Sequence, residues 1–318
     1  MPEIRPGVMR TPDEHFFALP GYAFEPNYVE IPSADLGFLR MHYLDEGPST
    51  GPVVLMLHGN PTWSFLYRHL IGPVAAAGYR VIVPDMIGFG RSDKPAARDA
   101  YSFDRFVSWM RAFVTALNLK DITLVCQDWG GPIGLRALAE EPERYAAVLA
   151  ANTLLQNCDP PPLGVPGWPS AQIRNWIDLC KTSNDLPIPE LIARATVNPL
   201  DKAVLDAYGA PFPDARYKKA VLAITCAIPI EEGAEGLEAN RQAWKVLEGF
   251  EKPFLTAFSN GDPATIDWET VFQHRVAGAN GQPHARIDSA GHFVQEEQGL
   301  ALAEILIQFL KNNQPSTS

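Results

Sequence analysis

Cysteine is scarce in this 318-residue sequence: Cys126, Cys158, Cys180 and Cys226 are scattered, with no Cys-x-x-Cys pair among them. That excludes a disulfide framework and a thiolate zinc site, and leaves four thiols expected to be reduced and mostly buried. His-x-x-x-His and Glu-x-x-His spacings are also missing, so no metal is called for. Positive charge is short as well. Lysine and arginine number 26 against 37 aspartates and glutamates, a formal net charge of −11, which argues against nucleic acid or an anionic membrane as partner. No apolar run reaches the ~18 to 20 residues of a membrane span, and the opening MPEIRPGVMRTPDEHFFALPG has no signal-peptide core. The expectation is a cytoplasmic, monomeric protein that works on a small or neutral ligand. There is no internal repeat, and only the polar tail NNQPSTS reads as disordered.

What is present is an alternation. YVEIPSADLGFLRMHYLDEG (28–47) reads as two strands joined by a polar turn, with Gly37 as a bulge candidate. VVLMLHG and YRVIVPD are short continuous apolar runs, each followed by a helix-like stretch: SFLYRHLIGPVAAAG, closed by Gly78, and the amphipathic FDRFVSWMRAFVTALNL. ITLVCQD, a helix from about Pro132, and AAVLAANT continue the rhythm. Strand and helix in turn imply an α/β fold with a mostly parallel central sheet covered on both faces. From about Leu155 to Pro229 the pattern stops, and proline-rich stretches and helix-like pieces replace it. The expected organisation is a core of residues 1–154 and 230–318 with an inserted helical cap at 155–229. The core resumes at KPFLTAFSNGD and HARIDSAGH and closes with EQGLALAEILIQFLKN.

VCQDWGG (125–131) has the layout of a nucleophile elbow, a strand turning sharply into a helix with one side chain exposed at the tip. The residue at the tip is Asp128, where hydrolases usually place serine. Asp262 and His292 follow two later strands, giving the order nucleophile, acid, histidine of α/β-hydrolases. Sites in parallel sheets form beyond the strand carboxyl ends, so these residues can converge. A carboxylate is ionised at neutral pH and can attack an sp³ carbon without a base, giving an alkyl ester. Water must then cleave that ester, with His292 as general base and Asp262 orienting the imidazole. The tetrahedral intermediate needs an oxyanion hole, for which the backbone N–H groups of Trp129 and of Asn60, in HGNPTW, are the natural donors. His58–Gly59 also reads as a plain tight turn, and that turn would aim the Asn60 amide.

HGNPTWSFLYR, PDMIGFGRSDKP, CQDWGGPIGLR, AYGAPFPD and GHFVQEE together resemble the haloalkane dehalogenases of the α/β-hydrolase superfamily over roughly residues 40–310. The resemblance implies cleavage of a carbon–halogen bond by water without a cofactor, so the partners would be a halogenated alkane and the halide ion product. It also implies that Asp128 is the nucleophile, His292 the base and Asp262 the acid. The indole N–H of Trp129 would hold the leaving halide, since that group donates and cannot accept. For the second halide donor, family members use either the side chain of an Asn in the His-Gly-Asn loop, here Asn60, or a tryptophan of the cap. AQIRNWIDLCKTSNDLPI resembles the tryptophan-using subgroup and points to Trp176. That subgroup often has Glu at the Asn60 position, so Asn60 is a departure. Trp168 is the weaker alternative and reads as packing.

Other residues have competing readings. Asp267 lies a turn beyond Asp262 and reads as solvated or as a helix cap, and Asn260 stands where related chains can have an acid. His58, His69, His274 and His284 read as structural or surface residues. The glycines around Arg91–Lys94 lack a Walker or Rossmann arrangement, and Trp176, Phe212 and Ile228 are expected to line a dry pocket or the core of the cap. An epoxide hydrolase would share the aspartate and histidine but needs cap tyrosines as proton donors, for which Tyr208 and Tyr217 are available. A fluoroacetate-type enzyme would place a cationic clamp where Trp129 stands. No Gly-x-Ser-x-Gly supports a serine esterase, and a non-catalytic ligand receptor on this fold is the remaining alternative.

Overall fold

Apolar runs bounded by turn residues become the strands of one eight-stranded sheet, seen in a computed structural model that describes residues 3–159 and 169–313. The strands are β1 (Asn27–Ser33), β2 (Gly37–Glu46), β3 (Val53–Leu57), β4 (Arg80–Pro84), β5 (Ile122–Asp128), β6 (Tyr145–Thr153), β7 (Phe254–Ser259) and β8 (Ala285–Ile287). Their order is β1-β2-β4-β3-β5-β6-β7-β8. β1 with β2 and β2 with β4 are antiparallel, and every later pairing is parallel. Val54–Leu57 of β3 and Ile122–Gln127 of β5 are buried without alternation, as strands covered on both faces must be.

The covering helices in the first half are α1 (Arg68–Ala76), α2 (Phe103–Ala116) and α3 (Gly130–Glu140). Ser102 caps α2 by accepting the amide of Arg105, and Gly78, at φ +98°, provides the left-handed residue just beyond α1. α3 begins at Gly130 rather than Pro132, because a proline in the first turn withholds an N–H that has no helical acceptor there. Gly37 is not a bulge. It pairs in register with Ser33 at φ +69° and closes the β1–β2 turn.

Between β6 and β7 the described residues form helices only: α4 (Ala171–Thr182), α5 (Ile188–Arg194), α6 (Lys202–Gly209), α7 (Lys219–Cys226) and α8 (Leu237–Glu248). α4 buries Ile173, Ile177 and Cys180, with Trp176 partly covered on the same stripe. Tyr208 of α6 donates its hydroxyl to Glu296, which also receives both terminal nitrogens of Arg68 at 2.6 Å, so this helix is anchored to the core through buried charge. The sequence reading gave residues 230–251 to the core without assigning them an element. They hold α8, whose buried Leu237, Asn240, Ala243, Trp244 and Leu247 recur at helical spacing. The chain ends with α9 (Trp268–Arg275), α10 (Val294–Glu297) and α11 (Gly299–Asn312).

Among the described residues no helix is long and apolar enough to cross a membrane. All four cysteines are free; Cys126 and Cys180 are buried, whereas Cys158 and Cys226 are only half-buried.

Candidate active site

Asp128 ends β5 with φ +48°, a left-handed conformation that a non-glycine residue adopts only under constraint. The constraint is visible around it. A Cβ on Gly130 would lie 2.1 Å from the Leu57 carbonyl oxygen, and one on Gly131 would lie 1.7 Å from Thr153 Oγ1. The two glycines after Trp129 therefore let α3 start against β3 and β6. Thr153 Oγ1 donates to the Asp128 carbonyl at 2.6 Å and fixes the turn from the neighbouring strand. Gly59 allows the loop after β3 to approach, since a Cβ there would meet Asp128 Cβ at 2.3 Å, and the next amide, Asn60 N–H, donates to Asp128 Oδ1 at 2.6 Å.

The loops after β7 and β8 bring the other two residues in. His292 Nε2 is 3.3 Å from Asp128 Oδ2, and its Nδ1 is 2.9 Å from Asp262 Oδ2. Asp262 is almost wholly buried and accepts from Ala264 N–H at 2.9 Å and from the Thr265 hydroxyl at 2.5 Å. Burial works against the Asp262 charge, yet the facing imidazolium and these hydrogen bonds hold its carboxyl below the usual carboxylate range. Burial also opposes charge on His292, but the Asp262 charge, and after it the bonds to Asp128 and Asp262 and the Asp128 charge, push it up to about 10. Asp267 stands elsewhere, at the left-handed N-terminal position of α9 without a side-chain capping bond, 3.7 Å from Arg286.

Trp129 and Trp176 line one small cavity with Asp128, among Phe103, Ile173 and Ile228. Trp129 packs edge-to-face on Phe103 with ring centroids 5.2 Å apart. A second cavity of about 370 Å³ reaches Asp128, His292 and Asp262 from the side of Leu191, Thr196 and Val197, and Trp176 borders it too. Asn60 borders this space as well, but its side-chain amide is engaged: its Nδ2 donates to the Val221 carbonyl at 3.1 Å and to Thr225 Oγ1 at 2.8 Å. Phe212, expected to line a pocket or the core of the cap, packs its ring against Phe89. Tyr208 spends its hydroxyl on Glu296 and Tyr217 is buried, and neither lines these cavities. Trp168 lies outside the described residues.

His58 is structural. Its Nδ1 donates to the Gly59 carbonyl at 2.8 Å and its Nε2 accepts from Met86 N–H at 3.0 Å, which ties the β3 and β4 loops together. Arg91–Lys94 form a closed loop: Asp85 accepts the Arg91 amide, and the Lys94 ammonium donates to the Gly90 and Ser92 carbonyls. Three residues at the site escaped sequence reasoning: Gln127, Thr153 and Thr265. Gln127 had a signal, a polar side chain inside an otherwise apolar buried strand; the two threonines had none, because threonine is ordinary in strands and turns.

Residues 52–205 match the family model of the α/β-hydrolase fold. The chain is 44% identical over 306 residues to a haloalkane dehalogenase of Psychrobacter cryohalolentis, covering 96% of this chain and 99% of that one. It is 43% identical over 302 residues to a haloalkane dehalogenase of Mycobacterium marinum, covering 95% and 99%. Among solved structures, the tetrameric haloalkane dehalogenase DpaA from Paraglaciecola agarilytica superposes with a TM-score of 0.85 at 32% identity, covering 93% of this chain and 96% of that one. DatA from Agrobacterium tumefaciens, also a haloalkane dehalogenase, gives 0.76 at 26% identity, covering 91% and 97%.

Proposed function

Because this chain belongs to the haloalkane dehalogenases, α/β-hydrolases that act on carbon–halide bonds, we propose that it works through a covalent alkyl ester on Asp128. The observation that carries the proposal is the elbow carboxylate in contact with His292 at 3.3 Å while two indoles border the same cavity. In the first step a carboxylate oxygen of Asp128 attacks the sp³ carbon, the carbon–halogen bond breaks, and its electron pair leaves with the halide. Trp129 and Trp176 would donate their indole N–H groups to that developing charge. We assign the second halide donor to Trp176 rather than Asn60, because both amide hydrogens of Asn60 are engaged by Val221 and Thr225.

In the second step His292 Nε2 takes a proton from water, whose oxygen attacks the ester carbon of Asp128. The N–H groups of Asn60 and Trp129 receive the oxyanion, and collapse releases the alcohol and restores the carboxylate. Esterification itself prepares the base. It removes the Asp128 charge and with it part of what holds the imidazolium charged, so the proton can leave with the halide. Helices α4 to α7 serve in this reading as a cap that keeps water from the first step and admits an apolar chain. The protein is taken as a cytoplasmic monomer without a cofactor; light scattering that returned the mass of several chains would align it with the tetrameric DpaA instead.

The test is bromide release from 1-bromobutane. Wild type is expected to release bromide and acid in equal amounts, Asp128→Ala to lose at least about 10⁴-fold, as removal of a covalent nucleophile does, and His292→Ala to accumulate an ester on Asp128 visible by mass spectrometry. Diol from styrene oxide without bromide release would replace this reading with an epoxide hydrolase. Absence of both reactions would favour a receptor.

A further inference from the structure

Gln127 lies one residue before the nucleophile on β5, is fully buried, and reaches the catalytic histidine from the sheet side. Its amide nitrogen is 3.1 Å from His292 Nε2 and 3.2 Å from the His292 carbonyl oxygen, while its own oxygen is buried without a hydrogen-bond partner. This orientation of the amide avoids setting its oxygen against the His292 carbonyl, an acceptor facing an acceptor. The end of Gln127 that meets the ring nitrogen is then its N–H donor.

The bond to the His292 carbonyl is not what holds the histidine in place. Asn152 Nδ2 donates to the same carbonyl at 3.0 Å and to that of Gly291 at 3.0 Å, and His292 N–H donates to the Ala195 carbonyl at 2.9 Å. The contact that no other residue duplicates is the one to Nε2. That nitrogen has two polar neighbours with opposite demands: the Asp128 carboxylate favours a proton on it, and the Gln127 N–H favours a lone pair. Asp128 and Asp262 are the charged groups facing the ring, and Phe293 meets it edge-on with centroids 5.0 Å apart.

We propose that Gln127 is a positioning residue that keeps His292 Nε2 free of a proton once Asp128 has been alkylated, so that the imidazole can take one from water. The proposal rests on the reading of His292 as base for ester hydrolysis. In the resting site both carboxylates face the ring, at 3.3 Å and 2.9 Å, and favour its charged form. After alkylation the Asp128 charge is gone, but Asp262 still favours charge on the ring through Nδ1. The amide dipole of Gln127 opposes that charge at Nε2 and brings the base closer to the pH at which it must act. In the sequence of events the amide has no effect on the displacement of halide, which does not use the histidine.

The experiment follows bromide release in the first turnover and the ester on Asp128 after acid quench, from pH 5 to 10, in Gln127→Met and Gln127→Glu. Methionine keeps the volume and removes the donor, whereas glutamate puts a charge against Nε2. In Gln127→Met the burst of bromide is expected at the wild-type rate, with ester hydrolysis about tenfold slower at neutral pH and its acidic limb moved about one pH unit upward, tenfold per unit. Gln127→Glu is expected to move the limb further. Gln127→Met also loses the bond to the His292 carbonyl, so a purely structural role predicts slowing in that variant with its limb unmoved, and that result overturns the proposal. An unchanged hydrolysis rate in Gln127→Met overturns it too. If His292→Ala accumulates no ester on Asp128, the covalent reading fails first and this proposal with it; an ester that forms normally and is hydrolysed normally in Gln127→Met sinks only the role given to Gln127.

Discussion

The elbow and the helical segment above it contribute to the same cavity by different means. At the elbow the groups are placed by the backbone turn and by what packs directly against it. Asp128 is held left-handed, its carbonyl is fixed by Thr153, its carboxylate by the Asn60 amide, and a Cβ at Gly59, Gly130 or Gly131 would fall within 2.3 Å of a neighbour. Trp176, by contrast, projects from α4 on the same side as Ile173, is partly exposed, and shares its cavity with apolar side chains such as Phe103, Ile173 and Ile228 that tolerate exchange. The chemistry is thus anchored in parts that cannot shift without clashing. The helical side of the cavity is built from parts that can.

The sharpest way to break that comparison is to change one atom in the anchored half. Asp262→Asn keeps the shape but withdraws the charge that orients the Nδ1–H of His292. Loss of the orienting carboxylate in a hydrolase triad costs about 10³- to 10⁴-fold, and here it is expected to fall on ester hydrolysis: one fast equivalent of bromide, then near arrest. A variant that turned over steadily at a tenth of the wild-type rate would show that the histidine is held by its backbone alone.

The same division explains what could be read in the sequence. VCQDWGG, HGNPTW and the strand-end positions of Asp262 and His292 were legible because a left-handed tip and close-packed loops demand particular residues at particular spacings. The sheet was legible for a similar reason, since β3 to β6 are buried on both faces and read as unbroken apolar runs. The order of the strands was not, because pairing between distant segments leaves no local pattern. In the helical segment Trp176 and Phe212 looked alike, two aromatics that could line a pocket or the core of the cap. One borders the cavity and the other packs on Phe89, and an apolar side chain in the sequence reports burial without saying whether it is against a cavity or against core.

Matched substitutions in the two halves sharpen the comparison. Trp129→Phe and Trp176→Phe each remove one indole N–H and keep an aromatic ring. Deleting one donor to developing charge costs roughly 10²- to 10³-fold when the donor is rigidly placed, so Trp129→Phe is expected at that level for every substrate. Trp176→Phe is expected to cost less, about tenfold with a bromoalkane and more with a chloroalkane, whose poorer leaving group leans harder on its donors. Steady-state kcat/KM for 1-bromobutane and 1-chlorobutane in both variants gives the result. Equal losses across the two variants and both halides would mean that α4 is as rigidly placed as the elbow.

The smallest effect concerns stability and belongs to the anchored half alone. The His292 pKa is raised on folding to about 10, from about 6.5 in an unfolded chain, so the folded protein binds the extra proton throughout that interval. A raised value means that the stabilisation is complete below about pH 6.5 and is lost as pH climbs through about 10. Replacing His292 with glutamine removes the titrating group, and the carboxylates it faced then repel each other at every pH in the window. The gap in Tm between wild type and His292→Gln is therefore expected to be widest at pH 6 and to narrow by a few degrees, about 2 to 4 °C for each kcal/mol lost, between pH 7 and 10. His69→Gln, on a half-exposed ring of α1 remote from the elbow, is the control and should show no such narrowing. A constant gap for His292→Gln would mean that Asp128 and Asp262 do not hold an imidazolium between them, and the proton balance drawn for both steps would have to be rebuilt from a neutral ring.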